Sequence, residues 1–352
     1  MSSLLADYNY ALPEEKIAKY PPSVRGKSKL LVLNRSDGSI IHQNYQDLVD
    51  YLVAGDLLIL NNTKVIQARL LTKSAKGQEV EVIILEKHAS GNSNSTYQTQ
   101  VAQFLYRGKL TCNSKLTLET VEIEVVNIFE GGTAELRILG KQTWQDLINS
   151  YGHTPIPPYL KRTAELLDKE RYQTLFAKNP GSVAAPTASL NFTEELETKL
   201  RQKGVQIAYI TLHVGLGTFL PIRSTDLKDH TMHQEYYAIP LETVKAIQQV
   251  KANPKSRLIA LGTTVTRALE HAAPKLSRAG ATITGEADIF IYPGYTFQTI
   301  DCLLTNFHAP KSTVLMLVAA LAGWNKLTKA YEVALQSDYR FLSYGDSMLI
   351  LG

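Results

Sequence analysis

The chain has 352 residues, of which 44% are hydrophobic and 20% are charged, and its formal net charge is +4. This balance is typical of a soluble globular protein and is too mild to indicate a nucleic-acid partner by itself. The two cysteines, Cys112 and Cys302, exclude a disulfide framework and a cysteine-rich zinc site. The longest apolar run is too short to span a bilayer, so we expect a cytoplasmic protein.

The first part of the chain predicts a hairpin, a helix and a buried strand. Residues 29–34 and 39–42 are mostly apolar and flank Asp37-Gly38, a pair typical of the tight turn between two antiparallel strands. Residues 45–53 have the pattern of a helix, and residues 57–60 that of a buried strand.

Between residues 70 and 152 the pattern changes to a series of short strands. In residues 121–125, valine and isoleucine alternate with glutamate, as expected of a strand with one buried face. Closely spaced strands of this kind predict a small antiparallel barrel. We therefore expect a first core segment (residues 1–69), an inserted β-barrel (residues 70–152) and a second core segment (residues 153–352).

The second core segment alternates strands with helices. Strand-like runs at 205–212, 257–262 and 288–292 lie among helical patterns that include 193–203 and 241–252. Such alternation predicts a sheet with some parallel pairing. The expected fold class is thus an α/β core with an inserted antiparallel β-barrel.

Residues 181–196, GSVAAPTASLNFTEEL, form the most informative segment of the chain. Small residues let a ligand approach the backbone closely, and hydroxyl and amide groups supply uncharged polar contacts. A buried core does not need this mixture. Pro186, Thr187 and Asn191 are therefore candidates for substrate binding.

A second candidate is Gly262-Thr263-Thr264, which ends a strand and opens a helix. Free backbone N–H groups at such a turn hold a carboxylate or a phosphate, and the alternative is an ordinary hydroxyl cap. Arg267, one turn later, favours an anion.

Histidines also occur at strand ends and in loops. His213 follows a strand and precedes Gly215 and Gly217. Polar residues at strand ends line the crevices in which α/β proteins bind ligands, and the alternative is a purely structural histidine. His230 and His233 have no third nitrogen or sulfur ligand nearby, so we do not expect a metal. They form either a polar surface loop or a pair that handles a proton or binds a base.

Residues 305–313, TNFHAPKST, precede an apolar helix that a serine or threonine can cap. Capping does not require Asn306, His308 and Lys311. A lysine at the start of a helix is unfavourable unless an anion offsets its charge. The segment is therefore a functional candidate.

Residues 151–162, YGHTPIPPYLKR, combine prolines, aromatic residues and two terminal cations. Such a segment suits single-stranded RNA, whose bases stack on aromatic side chains, or it serves as a rigid connector. The candidates for RNA contact are Tyr159, Lys161 and Arg162, and the track extends through Lys64 and Arg69.

Together, in this order, these motifs closely resemble one enzyme family, the S-adenosylmethionine:tRNA ribosyltransferase-isomerases of queuosine biosynthesis. The resemblance spans almost the whole chain and is weakest in the β-rich block. It also includes DIFIYPGYTF and YRFLSYGDSMLI. These two motifs add Tyr292, Tyr344 and Asp346 to the candidates for substrate binding.

The resemblance implies a reaction in which S-adenosylmethionine donates its ribosyl group. A base removes a proton from the 5′-carbon beside the sulfonium. The carbanion attacks 7-aminomethyl-7-deazaguanine at the tRNA wobble position, which gives epoxyqueuosine and releases adenine and methionine. The implied partners are S-adenosylmethionine and the precursor tRNA, with no metal or further cofactor, and a monomer is allowed. The candidate bases are His213, His230, His233 and His308, and Glu235 joins the substrate-binding candidates.

The chain departs from the family pattern at several positions. The family usually has glycine and histidine where this chain has Ser189 and Asn191, Asp-Thr-Arg in place of residues 62–64, and an acidic residue in place of Gly26. Asn191 cannot titrate, so the proton must pass to another group, and we expect Asn191→His to raise turnover. The alternative function is a related tRNA- or nucleoside-binding protein with weak or no turnover. A generic methyltransferase lacks support, because no glycine-rich loop follows the first strand.

Overall fold

The computed structural model describes residues 3–85, 99–215, 222 and 224–352. Within these residues, the helices in chain order are α1 Leu48–Tyr51, α2 Trp144–Tyr151, α3 Leu166–Arg171, α4 Glu194–Gln202, α5 Leu241–Lys251, α6 Thr263–Leu276, α7 Thr313–Ala322 and α8 Trp324–Gln336. The strands are β1 Lys29–Asn34, β2 Ile40–Asn44, β3 Leu57–Asn61, β4 Thr63–Val65, β5 Arg69–Ser74, β6 Glu79–Leu85, β7 Val101–Arg107, β8 Lys115–Leu118, β9 Val121–Phe129, β10 Thr133–Leu139, β11 Asn179–Ser182, β12 Gln206–Leu212, β13 Glu235–Ile239, β14 Leu258–Leu261, β15 Ile283–Ala287, β16 Cys302–Asn306 and β17 Ser347–Leu351.

One large sheet organises the core. Counted over the described residues it has nine strands, in the order β15-β13-β12-β3-β14-β16-β17-β1-β2. Four adjacent strands in its centre, β12, β3, β14 and β16, are mutually parallel. Every residue of β3 and β14 is buried, as expected of parallel strands that are covered on both faces.

The alternation of side chains along β3 shows how both faces are covered. Leu57 and Ile59 belong to the apolar cluster that includes residues of α5, α6, α7 and α8. Leu58 and Leu60 belong to the opposite cluster, which includes residues of α1 and α4. Successive residues of a strand point to opposite faces, so an unbroken apolar run is needed here.

The parallel centre of the sheet brings the ends of four strands together. The carboxyl ends of β12, β3, β14 and β16 lie at one edge, because parallel strands run in the same direction. This edge carries His213 after β12, Asn61 at the end of β3, Gly262 after β14 and Asn306 at the end of β16. Open α/β sheets bind ligands at this edge.

Strands β5 to β10 form a closed antiparallel barrel in the order β10-β7-β6-β5-β8-β9. The predicted alternation is present in β9, where Val121, Ile123 and Val125 are buried in the barrel core. Helix α2 contributes Trp144 and Leu147 to the same core. The expected fold class, an α/β core with an antiparallel barrel, is confirmed, and the domain boundaries at residues 70 and 152 stay a prediction.

Two details differ from the sequence-based expectation. Residues 288–292 form no strand, and β15, five residues earlier, pairs with β13 instead. The apolar side chains of Ile289 and Phe290 line a cleft beside α6, which explains a strand-like pattern without a strand. Helix α2 lies inside the block where we expect strands, because its apolar face closes the barrel core.

No helix in the described residues is long and apolar enough to cross a membrane.

Candidate active site

A cavity of about 430 Å³ lies at the carboxyl edge of the parallel strands, and we call it the ligand cavity. Its volume is within the range of small-molecule sites, roughly 300–1,000 Å³. Four segments supply most of its lining: residues 185–188, 262–264, 305–312 and 342–343. Among the described residues that line it, none is an aspartate or a glutamate.

The N-termini of two helices reach this cavity. Helix α6 contributes Thr263 and Thr264, and the segment that leads into α7 contributes Lys311 and Ser312. Ser312 Oγ accepts the Leu315 N–H at 3.2 Å, as an N-cap does. Both helix dipoles and the Lys311 ammonium group make this wall electropositive. An anionic group is therefore the ligand that this wall favours.

Gly262, at the start of α6, has a φ of +98°, which few residues other than glycine adopt. A Cβ atom at this position would lie 3.6 Å from the Cβ of Ala188, at ordinary contact distance. The glycine is therefore required by the backbone turn and not by lack of space.

Two hydrogen bonds orient the hydroxyl groups of Thr264 and Thr187 in the cavity lining. Asn61 Nδ2 donates to Thr264 Oγ1 at 3.3 Å, which leaves the Thr264 hydroxyl hydrogen free to donate to a ligand. Thr187 Oγ1 donates to Asn306 Oδ1 at 2.9 Å, which leaves the Thr187 oxygen free to accept. Thr264 thus presents a hydroxyl donor to the cavity and Thr187 a hydroxyl acceptor.

His308 is the member of the four predicted histidines that lines the ligand cavity. Its Nε2 lies 2.8 Å from Thr305 Oγ1. Its backbone is held by Tyr331 and Tyr10, through the His308 N–H and carbonyl groups respectively. Burial lowers the pKa of His308 to about 3, because desolvation disfavours the imidazolium. The imidazole is therefore neutral at physiological pH.

Glu235 and Arg267 form a buried ion pair in a narrow cleft that shares Thr263 and Thr264 with the ligand cavity. The Glu235 carboxylate also accepts the Gly215 N–H at 3.0 Å. Arg267 Nη2 donates to the Ala287 carbonyl at 2.9 Å. The two terminal nitrogens of the guanidinium group are therefore bonded to neighbouring protein groups, whereas the buried Nε has no partner among the described residues. Through Glu235, the pair positions the chain at Gly215, just after β12.

The other three predicted histidines lie outside the lining of the ligand cavity. His213 Nδ1 lies 2.8 Å from Thr63 Oγ1, and its ring stacks on Tyr236. His230 packs against Phe290, and burial and then the nearby His233 lower its pKa. His233 is exposed, and its backbone carbonyl accepts from Arg267.

Three predicted substrate-binding residues lie behind the cavity wall. Asn191 Nδ2 donates to the Gly345 carbonyl at 3.2 Å, and the Tyr344 hydroxyl donates to Asp168 at 2.7 Å. The Asp346 carboxylate accepts the N–H groups of Lys29 and Arg340, and burial raises its pKa. All three hold the turn at residues 340–346.

This turn supplies Leu342 and Ser343 to the cavity lining. Leu342 has a φ of +69°, a strained conformation for a leucine. Of the remaining predicted residues, Pro186 lines the cavity. Tyr292 packs on Phe290 beside the cleft, and Gly217 lies outside the described residues.

The predicted RNA-contact residues do not form a single surface track. Tyr159 lines the ligand cavity, with its hydroxyl bonded to Ser343. Arg162 forms a bidentate ion pair with the buried Asp168, at 2.6 and 2.7 Å. Lys161 is paired with Glu14 and Arg69 with Glu81, whereas Lys64 is exposed.

Sequence reasoning does not identify Thr305, Ser343 and Asn61 as site residues. Thr305 and Ser343 lie within two of the candidate motifs, so those motifs carry a signal for them. The role of Asn61 depends on Thr264, which is 203 residues away. Among the described residues, no group of three or more His, Cys, Asp or Glu side chains is arranged to hold a metal ion.

Comparison with known proteins gives a consistent result. The family model described as queuosine biosynthesis protein matches residues 5–350. An S-adenosylmethionine:tRNA ribosyltransferase-isomerase of Pelodictyon phaeoclathratiforme is 55% identical over 346 residues, which cover 98% of each chain. Its counterpart of Aquifex aeolicus is 44% identical over 350 residues, or 99% of each chain. The solved structure of S-adenosylmethionine tRNA ribosyltransferase from Thermotoga maritima is 33% identical and aligns with a TM-score of 0.56, covering 98% of this chain and all of that one.

Proposed function

The chain belongs to the S-adenosylmethionine:tRNA ribosyltransferase-isomerases, enzymes of queuosine biosynthesis, and we propose that its reaction takes place in the ligand cavity. The reaction transfers and isomerises the ribosyl group of S-adenosylmethionine onto 7-aminomethyl-7-deazaguanine in tRNA, with release of adenine and methionine. The observation that carries the placement is an electropositive wall without carboxylates beside a neutral histidine.

S-adenosylmethionine binds with its carboxylate at the electropositive wall. The free N–H groups at the start of α6 and the Lys311 ammonium group receive that carboxylate. The Thr264 hydroxyl donates to a ligand oxygen, and the Thr187 oxygen accepts from a ribose hydroxyl. Neutral oxygens near the sulfonium leave its charge uncompensated, which favours loss of the adjacent proton.

His308 is the general base in this proposal. If its Nε2–H donates to Thr305 Oγ1, the lone pair of Nδ1 is left to accept the proton from the 5′-carbon. Thr305 is then a positioning residue that selects this tautomer. The low pKa keeps the imidazole neutral and able to accept a proton, although it also makes the base intrinsically weak. The enzyme must therefore gain most of its rate from holding two reactants together.

The acceptor base of the tRNA enters the same cavity. Tyr159 offers an aromatic face at the cavity lining, on which a purine-like base stacks. Glu235 and Arg267 act as positioning residues for the segment that follows β12. The proposed reaction uses no metal and no further cofactor. The proposed location is the cytoplasm and the proposed oligomeric state is a monomer, and a tRNA substrate is consistent with both.

The alternative is a family member that binds tRNA or a nucleoside but turns over slowly. The low pKa of His308, which makes the proposed base weak, is the observation that favours it. Adenine and methionine release, measured with purified protein, S-adenosylmethionine and precursor tRNA, separates the two functions. Stoichiometric release of both products supports the enzyme. Tight tRNA binding without release of either product would overturn the proposed activity and support the alternative.

A further inference from the structure

A second cavity, of about 530 Å³, lies between the barrel and the core. We call it the barrel–core groove. The link from the core to the barrel contributes residues 64–67, and α2 contributes Gln145, Ile148 and Asn149. Lys169, Gln173, Thr154 and Pro180 complete it. None of these residues lines the ligand cavity, so the groove is a separate feature of the surface.

Among the described residues that line the groove, both charged side chains are lysines. These are Lys64 and Lys169, and neither forms an ion pair with another described residue. No aspartate or glutamate is among the described residues of the lining. Gln67 accepts from Lys169 Nζ at 3.2 Å when its side-chain amide is oriented so that both the amide oxygen and the amide nitrogen have hydrogen-bond partners. Two lysines that share a groove without a carboxylate favour an anionic ligand.

The remaining lining suits a planar, partly polar group. Val65, Ile66 and Ile148 provide an apolar floor. Gln145 Nε2 donates to Asn149 Oδ1 at 2.9 Å, which leaves Gln145 Oε1 and Asn149 Nδ2 with no partner among the described residues. One amide acceptor and one amide donor side by side match the edge of a nucleobase. The groove thus combines the features that a phosphate, a sugar and a base require.

One apolar cluster of the described residues is shared by the groove and the ligand cavity. Val65 lines the groove and Ala185 lines the cavity, and both belong to the cluster that also contains Tyr172 and Leu190. Gln173 fixes Val65 through its backbone N–H and carbonyl, at 3.0 and 2.7 Å. One cluster of packed side chains therefore contacts both the cavity and the groove.

We propose that the barrel–core groove binds a nucleotide of the tRNA substrate other than the one that is modified. Lys64 and Lys169 hold its phosphate, the apolar floor supports its sugar and base, and Gln145 and Asn149 contact the base edge. The proposal rests on the proposed function only in that tRNA is the partner. It adds Lys169 and α2 to the RNA contact and gives Lys64 a defined site.

The test compares Lys64→Ala/Lys169→Ala with the control Lys76→Ala/Lys255→Ala, which removes two exposed lysines that line neither cavity. The affinity for tRNA is measured by fluorescence anisotropy over a range of salt concentrations, with the precursor tRNA and with the same tRNA carrying guanine. We expect the groove variant to bind both tRNAs about tenfold more weakly and with a salt slope lower by roughly 1–2. The control variant should match the wild type, and calorimetry should show the same S-adenosylmethionine affinity in all three proteins.

Three outcomes decide the proposal. Unchanged tRNA affinity and salt slope in the groove variant would overturn it, even if adenine release supports the proposed reaction. If the groove variant no longer binds poly-glutamate, which the wild type binds, but keeps its tRNA affinity, the groove is assigned to an acidic peptide instead. Weaker tRNA binding in the groove variant supports the groove even if the wild type releases no adenine, so the groove and the reaction are judged separately. Asn149→Glu, which adds a negative charge to the groove without removing a lysine, should weaken binding in the same direction.

Discussion

Asn191 Nδ2 donates a hydrogen bond to the backbone carbonyl of Gly345, and the Asn191 side chain is almost completely buried. This bond joins the motif at residues 181–196 to the turn that supplies Leu342 and Ser343 to the ligand cavity. Residue 191 therefore acts here as a hydrogen-bond donor that positions the cavity wall. A histidine N–H can serve the same purpose, so the departure from the family pattern need not remove a proton-transfer group.

This relationship reverses the expectation for Asn191→His. The structure predicts no gain in turnover, since the new imidazole would face the Gly345 carbonyl and not the substrate. Asn191→Leu leaves that carbonyl without its donor and should lower the free energy of unfolding by about 1–3 kcal/mol. If the turn at residues 340–346 is displaced, turnover should fall as well. Steady-state adenine release and denaturant unfolding measure the two effects. A marked rise in kcat for Asn191→His would show that this position handles a proton.

His308 is expected to carry the proton transfer. His308→Gln keeps polarity and approximate size but removes the basic nitrogen, so kcat should fall by roughly 10²–10⁴-fold. S-adenosylmethionine affinity, measured by calorimetry, should change little. Thr305→Val should also lower kcat, by less, because it removes only the group that selects the tautomer. If His308→Gln keeps wild-type kcat, the base is another residue, and His213 is the first to test.

Burial of His308 also makes stability depend on pH. Its pKa is about 3 in the folded protein and about 6.5 in an unfolded chain. The unfolded state therefore binds the proton first, and stability that is present above pH 6.5 is lost as the pH falls toward 3. At pH 5 the loss from this group is about 2 kcal/mol relative to pH 8. Urea unfolding should show a smaller difference in unfolding free energy between pH 5 and pH 8 for His308→Gln than for the wild type. An equal difference in the two proteins would contradict the burial of a neutral imidazole at this position.

The Glu235–Arg267 pair is expected to support the fold and not to contact substrate. Arg267→Met leaves a buried carboxylate without its cation, which typically costs about 3–5 kcal/mol. Adding Glu235→Gln should restore much of the stability, since the buried charge is then gone. Thermal unfolding measures this. The affinity of the double variant for S-adenosylmethionine then tests whether Arg267 contacts the substrate. If Arg267 binds the S-adenosylmethionine carboxylate directly, the double variant should bind weakly even though its stability has recovered.

Several features of the protein follow from the sequence alone. The closely spaced strands between residues 70 and 152, with the alternation in β9, predict a barrel, and the alternation of strands with helices in the second core segment predicts a sheet with some parallel pairing. The motif at residues 305–313 predicts a functional histidine and lysine, and both line the ligand cavity. The content and order of the motifs also indicate the family to which the chain belongs, because long motifs in a fixed order rarely coincide by chance.

The tertiary structure alone decided which motif residues share the cavity. Thr187 meets Asn306 across 119 residues of chain, and this contact follows from the order of strands in the sheet, which no local pattern encodes. The same strand order places Asn191 and Asp346 behind the cavity wall and brings Arg267 into an ion pair with Glu235. A sequence motif shows which residue types a site needs, whereas the register and direction of neighbouring strands decide which of those side chains face the ligand.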